Sequence, residues 1–268
     1  MKKKKKNEEQ RSEFLENGEH EGMDATSLRL HEDATKIKTI SSIQIGKFKC
    51  ETWYYSPYPS GFHNIECLFI CEFCLSFYAT SKELERHSIR CPLTHPPGDE
   101  IYRHDSNSVF EVDGRKNSPY CENLSYMAKL FLDHKNLYYD LEPFLFYVLT
   151  ENDEMGHHIV GYFSKEKDSN MSYNLSCILT LPFYQRKGYG KFLITLSYEL
   201  SLKEGKLGTP ERPLSDLGKI SYYRWWIQKI ISFLRMHEND NYCLADIIKE
   251  TGIIEKDILS CLVMFALI

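Results

Sequence analysis

The chain of 268 residues has no apolar run of the ~18–20 residues that a membrane-spanning helix needs. Its opening lysines lead into no apolar stretch of the secretory kind. A soluble, unsecreted protein with no membrane partner is therefore the expectation. The sequence also lacks a positive balance. Its formal net charge is −5, which argues against coating nucleic acid and suits a basic protein substrate. Residues 1–36 are polar and charged and lack aromatics apart from Phe14. Such a segment buries too little apolar surface to offset its ordering entropy, so it reads as a disordered charged tail. Its run from Lys2 to Lys6 has two readings, a nuclear import signal or a solvated tail. No internal repeat is visible.

What is present is a real core. Hydrophobic residues make up 42% of the chain, with 18 Tyr and 15 Phe. Nine cysteines are an odd count, which points to a reducing compartment where thiols serve as ligands or catalysts. From Ile37 the pattern turns strand-like and aromatic. Helical spacing follows over 123–133, then two adjacent strands over 144–150 and 158–164 with a turn at Asn152, Asp153 and Gly156. Residues 205–213 read as a loop. The remainder from Ser215 is mostly helical, with helices over 244–251 and 255–265 joined at Gly252.

Four of the cysteine and histidine residues have metal-ligand spacing. Cys71 and Cys74 are separated by two residues, His87 follows after twelve more, and Cys91 after three. Three thiolates and one imidazole at this spacing build a tetrahedral zinc site. Tyr78 and Leu84 stand where a small finger keeps its core. Cys67 lies four residues before Cys71 and lacks the tight turn that Cys71 shares with Cys74. A site with four protein ligands has no open position, so the zinc is expected to be structural. DNA reading through Lys82, Glu83 and Arg86 is the rival role, but one finger spans only ~3 base pairs. Direct sequence-specific DNA binding is not expected.

The stretch 174–191, NLSCILTLPFYQRKGYGK, runs from an apolar strand through a proline stop into a glycine loop that opens a helix. Free backbone N–H groups and the positive helix end converge at such a junction and favour phosphate. One residue separates Gly188 from Gly190, and Phe192 follows Lys191. The loop of nucleotide hydrolases has four residues between its glycines and then Lys and Ser or Thr. A coenzyme pyrophosphate is the better partner.

The finger, the strand LSCILTLP, the loop QRKGYG and the segment TPERPLSDLGKISYYRWW together resemble the MYST family of histone acetyltransferases. Within that family the chain is most similar to the males-absent-on-the-first (MOF) type, with EPFLFYVLTE and HIVGYFSKEK adding to the match. The resemblance covers about 37–258 and implies an α+β fold. Its parts would be a GNAT-like mixed-sheet acetyltransferase core, an N-terminal C2HC zinc finger region and a shortened C-terminal helix-turn-helix-like region. The domain organisation it implies is the tail at 1–36 and an acetyltransferase domain at 37–268. Within the domain lie the finger at 67–92, the acetyl-CoA core at 120–225 and a helical region at 226–268.

The resemblance also assigns roles. Gln185, Arg186, Lys187, Gly188, Tyr189, Gly190 and Lys191 match the pyrophosphate loop of acetyl-CoA binding. Ile178, Leu179 and Thr180 match the strand whose backbone pairs with the pantetheine arm, and Ser215 matches a further coenzyme contact. Glu211 matches the general base, Cys177 the active-site cysteine, and Lys135 a lysine that family members acetylate on themselves. Partners implied are histone tails, histone H4 foremost, and subunits of chromatin complexes; the implied location is nuclear. Set against the resemblance, two departures are expected: no folded reader module before residue 37, and a stop on CLVMFALI where the family continues into further strands. Arg224 is a further local one, standing where the MOF type carries a small polar residue near the coenzyme. The alternative to an active enzyme is therefore a catalytically weak or inactive chromatin scaffold.

The chemistry explains the residue types. A free lysine has a pKa near ~10.4, so roughly one in two or three thousand is neutral at pH 7. A carboxylate must remove the ammonium proton before the amine attacks a thioester. For Glu211 the bland reading is a surface glutamate. For Cys177 it is a buried structural thiol, and the functional readings are a covalent acetyl carrier or a wall of the thioester pocket. A backbone N–H near Cys177 or Ile178 is the simplest donor to the oxyanion.

Overall fold

A computed structural model describes residues 37–137 and 140–266. The segment 1–36, with its expected disorder and its lysine run, lies outside the described residues. Among the described residues no helix is long and apolar enough to cross a membrane.

The chain begins with a small sheet of order β2-β1-β3-β4, formed by β1 (Ile40–Ile45), β2 (Phe48–Glu51), β3 (Ile65–Ile70) and β4 (Phe77–Tyr78). β1 and β3 run parallel, so the expected finger segment shares its sheet with strands that precede it. Helix α1 (Ser81–Ser88) follows β4. Thr80 and Glu83 close its start with a capping box, the Thr80 N–H donating to Glu83 Oε2 at 3.0 Å.

The central sheet has five strands in the order β10-β8-β7-β6-β5. They are β5 (Asp99–His104), β6 (Asn107–Asp113), β7 (Phe144–Asp153), β8 (Gly156–Glu166) and β10 (Cys177–Thr180), every neighbouring pair antiparallel. The hairpin β7–β8 falls where sequence alternation places it; β7 starts as expected and runs on to Asp153, while β8 is longer at both ends. Both strands are buried through most of their length, because their side chains belong to the larger apolar core. Tyr147 stacks on Phe163 across this pair at 4.6 Å. Helix α2 (Ser118–Lys129) starts five residues before the expected 123 and ends before 133. Asn117 and Pro119 open it, a start signal that the apolar spacing alone does not mark.

Between β8 and β10 lies the short strand β9 (Tyr173–Leu175), which pairs in parallel with β11 (Thr209–Pro210). The expected loop 205–213 thus contains a strand, one too short to carry alternation. Helix α3 (Tyr189–Lys203) packs on β8, β9 and β10, followed by α4 (Asp216–Met236), α5 (Leu244–Thr251) and α6 (Glu255–Met264). One apolar core fills the space around the central sheet; a second, built on Trp226, Tyr222, Tyr198 and Ile258, joins the last helices. Ile178 packs against both. The strand of the candidate site therefore lies on the seam between the two cores.

β10 can lie this close to β8 because Gly161 has no side chain. A Cβ there would stand 2.4 Å from the Leu179 carbonyl oxygen and 3.0 Å from Thr180 Cα. Both obstacles are backbone, so neither can swing aside. Gly161→Ala is expected to destabilise the protein by about 2 kcal/mol through overpacking. A thermal melt checks this, and an unchanged melting temperature contradicts it.

Candidate active site and zinc centre

The zinc-ligand spacing closes in space. The ligand atoms of Cys71, Cys74, His87 and Cys91 all lie within 4.8 Å of one another. Cys71 Sγ is 3.9 Å from Cys91 Sγ, and Cys74 Sγ is 3.1 Å from His87 Nε2. A tetrahedron of zinc–sulfur bonds has an edge of about 3.8 Å, so the four residues fit a structural zinc. Leu75, at φ +62°, turns the chain back so that its N–H reaches the Cys71 carbonyl. The Cys74 thiol is brought down to about 4, first by its hydrogen bond with Cys71 and then by Ser76. The sharing pushes Cys71 up. Cys67 lies on β3 outside this group. Helix α1 buries no residue fully, so apolar packing does little to hold it and a bound metal would supply folding energy there.

The finger and the small sheet it shares are tied to the rest at several places. His158 Nδ1 is 2.6 Å from Glu72 Oε2, beside the first ligand, while its Nε2 is 2.8 Å from Asp153 Oδ1. Phe48 of β2 stacks on Phe183 at 4.3 Å. Phe183 belongs to the 3-10 turn Pro182–Tyr184 that leads into the glycine loop, so the small sheet buttresses that loop.

The loop itself adopts strained backbone. Arg186 has φ +64° and Gly188 φ +95°. A Cβ on Gly188 would meet nothing within 4 Å, so the glycine answers to φ and leaves space above the start of α3. Gln185 Nε2 donates to the Thr180 carbonyl at 3.0 Å. Arg186 and Lys191 are exposed. Lys187 Nζ lies 4.9 Å over the Tyr184 ring, and Tyr189 bonds Glu151 through its hydroxyl. Ser215 caps α4, its Oγ accepting from the Gly218 N–H at 3.1 Å.

β10 is the edge strand of the central sheet among the described residues. The Leu181 N–H donates to the Val160 carbonyl at 3.0 Å. Alternation from that pair turns the Leu179 amide toward β8 and the amides of Ile178 and Thr180 to the open edge. The Cys177 N–H is already committed, donating to Ser164 Oγ at 3.2 Å. That leaves Ile178 as the free donor of the two amides considered for an oxyanion.

Around the start of β10 the candidate chemistry converges. Cys177 is half-buried, and Lys135 Nζ stands 3.7 Å from its Sγ. Lys135 is 8% exposed. Burial pushes its ammonium down, but Cys177 and Tyr162, once ionised, outweigh this and the net shift is upward. Glu211 follows β11, and its N–H donates to the Leu175 carbonyl at 2.8 Å, two residues before Cys177. Burial raises the Glu211 carboxyl above the ordinary range and nearby Glu166 adds to this, while Ser176 and Lys135 work the other way. A cavity of about 660 Å³ between α3, α4 and α5 includes Lys191 and Thr195 but none of Cys177, Glu211 and Lys135. Tyr162, Ser164, Glu166 and Ser176 lie within the stretches HIVGYFSKEK and LSCILTLP, but sequence reading gives none of them a role.

A glycine loop that opens a helix, an edge strand with outward amides and a half-buried carboxyl hung from the segment that leads to Cys177 are the features of an acyltransferase-like α+β protein. The zinc-bearing sheet joined to it narrows the class. The profile of the MOZ/SAS family matches residues 95–268, and that of the MYST family zinc finger domain matches 37–91. The chain belongs to the MYST (MOZ/SAS) family of histone acetyltransferases. It is similar to "Histone acetyltransferase of the MYST family 2" of Arabidopsis thaliana, 58% identical over 249 residues, covering 93% of this chain and 56% of that protein. It is also similar to "Histone acetyltransferase Tip60 homolog" of Caenorhabditis elegans, 51% identical over 236 residues, covering 86% and 52%. The chain spans about half the length of the curated relatives it matches.

The parent chain is expected to bind one zinc ion, and Cys74→Ala to bind none. Residues of α1 should then lose hydrogen-exchange protection while the central sheet keeps it. Stoichiometric zinc in the variant contradicts the assignment.

Proposed function

We propose that this chain moves an acetyl group from acetyl-CoA to a lysine side chain on histone tails, histone H4 foremost, as a nuclear enzyme of the MOF type. The observation that carries the reading is Glu211, a carboxyl with a raised pKa held two residues from Cys177 by its bond to Leu175. A base with a pKa lifted toward neutrality is a better proton acceptor at working pH than an ordinary glutamate.

Glu211 takes the proton from the substrate ammonium, which frees the lone pair. The amine then attacks the thioester carbonyl, the Ile178 N–H faces the oxygen that gains charge, and the coenzyme thiol leaves with a proton. Cys177 lines the thioester pocket. The Ile178 carbonyl and the backbone of Thr180 hold the pantetheine arm, with Leu179 fixing the strand from the other side. Residues 185–191 hold the pyrophosphate at the positive end of α3, with Ser215 as a further coenzyme contact. Lys135, beside Cys177, is the site where the enzyme acetylates itself. Residues 37–268 form the acetyltransferase domain: the finger at 67–92, the coenzyme core at 120–225 and the helical region at 226–268. Residues 1–36 form a charged tail. Chromatin-complex subunits are its partners.

Acetyl transfer from labelled acetyl-CoA to histone H4 peptide tests the reading. Glu211→Gln should lower kcat/KM about 10²- to 10⁴-fold. The base works only when deprotonated, so activity should fall as pH drops through the Glu211 pKa, at a pH above that of an ordinary glutamate. The variant should lose this limb. Full transfer by Glu211→Gln sinks the assignment. Incubation with acetyl-CoA followed by mass spectrometry should find acetyl on Lys135, and Lys135→Arg should remove it.

A further inference from the structure

The segment 208–212, which carries Glu211, is held from two sides. On one side the Glu211 N–H bonds the Leu175 carbonyl of β9. On the other, the Gly208 N–H donates to the Gly252 carbonyl at 2.8 Å, and Gly208 bridges Ile253 in parallel. Gly252 and Ile253 form the turn between α5 and α6. The same helix pair reaches further with Asp257, whose exposure is 0%. Asp257 Oδ2 accepts from Thr209 Oγ1 at 2.8 Å, and its Oδ1 accepts from Arg212 Nη2 at 2.6 Å. These donors lie on either side of Glu211 in the chain.

A carboxylate taken wholly out of water is costly unless it is neutralised and hydrogen-bonded. Arg212 is the cation that neutralises it, with its guanidinium also lying 5.8 Å over the Trp226 ring. Tyr198, Tyr222 and Cys261 are the other titratable groups facing Asp257. Apolar side chains of similar volume often fill such a place with no loss of stability. The directional pair adds a fixed register between α6 and the residues flanking Glu211.

We infer that Asp257 is the positioning residue of Glu211, holding through Thr209 and Arg212 the loop that carries the Glu211 carboxylate. The C-terminal helix pair thereby acts on the chemistry without touching substrate. The inference rests on the reading of Glu211 as the base. The charged and polar groups facing that carboxylate are Glu166, Lys135 and Ser176; Asp257 reaches it through the backbone.

The test compares Asp257→Asn, Thr209→Val and Arg212→Lys with the parent chain, using acetyl transfer to histone H4 peptide across pH. Circular dichroism and acetyl-CoA titration verify folding and coenzyme binding. A loosened loop should lower kcat about 10- to 100-fold, since small misplacements of a catalytic group cost that much. The KM for acetyl-CoA should stay within about twofold, as uniform binding is untouched. The acid limb of kcat/KM should move to lower pH, because a less buried Glu211 ionises more easily. Arg212→Lys keeps the charge and should recover part of the loss. A purely structural role would lower the melting temperature and leave both kcat and the limb of the folded fraction unchanged, which overturns the inference. If Asp257→Asn fails to fold, Thr209→Val decides by the same two readouts. An active Glu211→Gln would remove the underlying base assignment. An inactive Glu211→Gln beside a folded Asp257→Asn at parental rate would remove only the role of Asp257.

Discussion

The pairing of β10 with β8 is the constraint on which the site depends. Gly161 lets the two backbones meet, Ser164 takes the amide of Cys177, and the Val160 carbonyl takes that of Leu181. These contacts fix which amides of β10 face inward and which face the open edge. They also set where Cys177 stands and where the Pro182–Tyr184 turn begins. The glycine loop and α3 follow from that turn. A slip of one residue would turn the edge amides inward and move the thiol to the other face.

Around this strand the two apolar cores share the work unequally. The larger one holds the central sheet and, through Phe48 on Phe183, the approach to the glycine loop. The smaller one holds α4, α5 and α6 against α3. Its polar outgrowth, Asp257 with Thr209 and Arg212, reaches back to the segment that bears Glu211. Burial acts oppositely on the ionisable groups gathered near Cys177: it raises the carboxyl of Glu211 and opposes the charge on Lys135. At Lys135 the neighbouring Cys177 and Tyr162 outweigh burial and the ammonium is held, whereas at Glu211 burial prevails and the neutral carboxyl is favoured.

Much of this was legible from short-range pattern. The zinc ligands follow from the spacing of Cys71, Cys74, His87 and Cys91, because a metal knuckle is a local turn. The hairpin β7–β8 follows from its alternation and its turn residues. The glycine loop follows from Gly188 and Gly190 after an apolar strand, and Gly252 marks the α5–α6 turn as expected. Local signals failed where an element is short or its end is set by a cap. β11 has too few residues for a period, and α2 starts at Asn117 and Pro119 rather than at its first apolar repeat.

The sequence by itself determined the family, the Cys71, Cys74, His87 and Cys91 group, and the glycine loop after an apolar strand. Each of those is written in residues close together in the chain, and a spacing suffices to read it. Only the tertiary structure decided that Lys135 stands against Cys177, that Glu211 hangs from Leu175, and that Asp257 reaches both flanks of Glu211 from 45 and 48 residues away. Those pairings depend on how two cores pack across β10, and burial, which sets their charges, exists only once the packing is made.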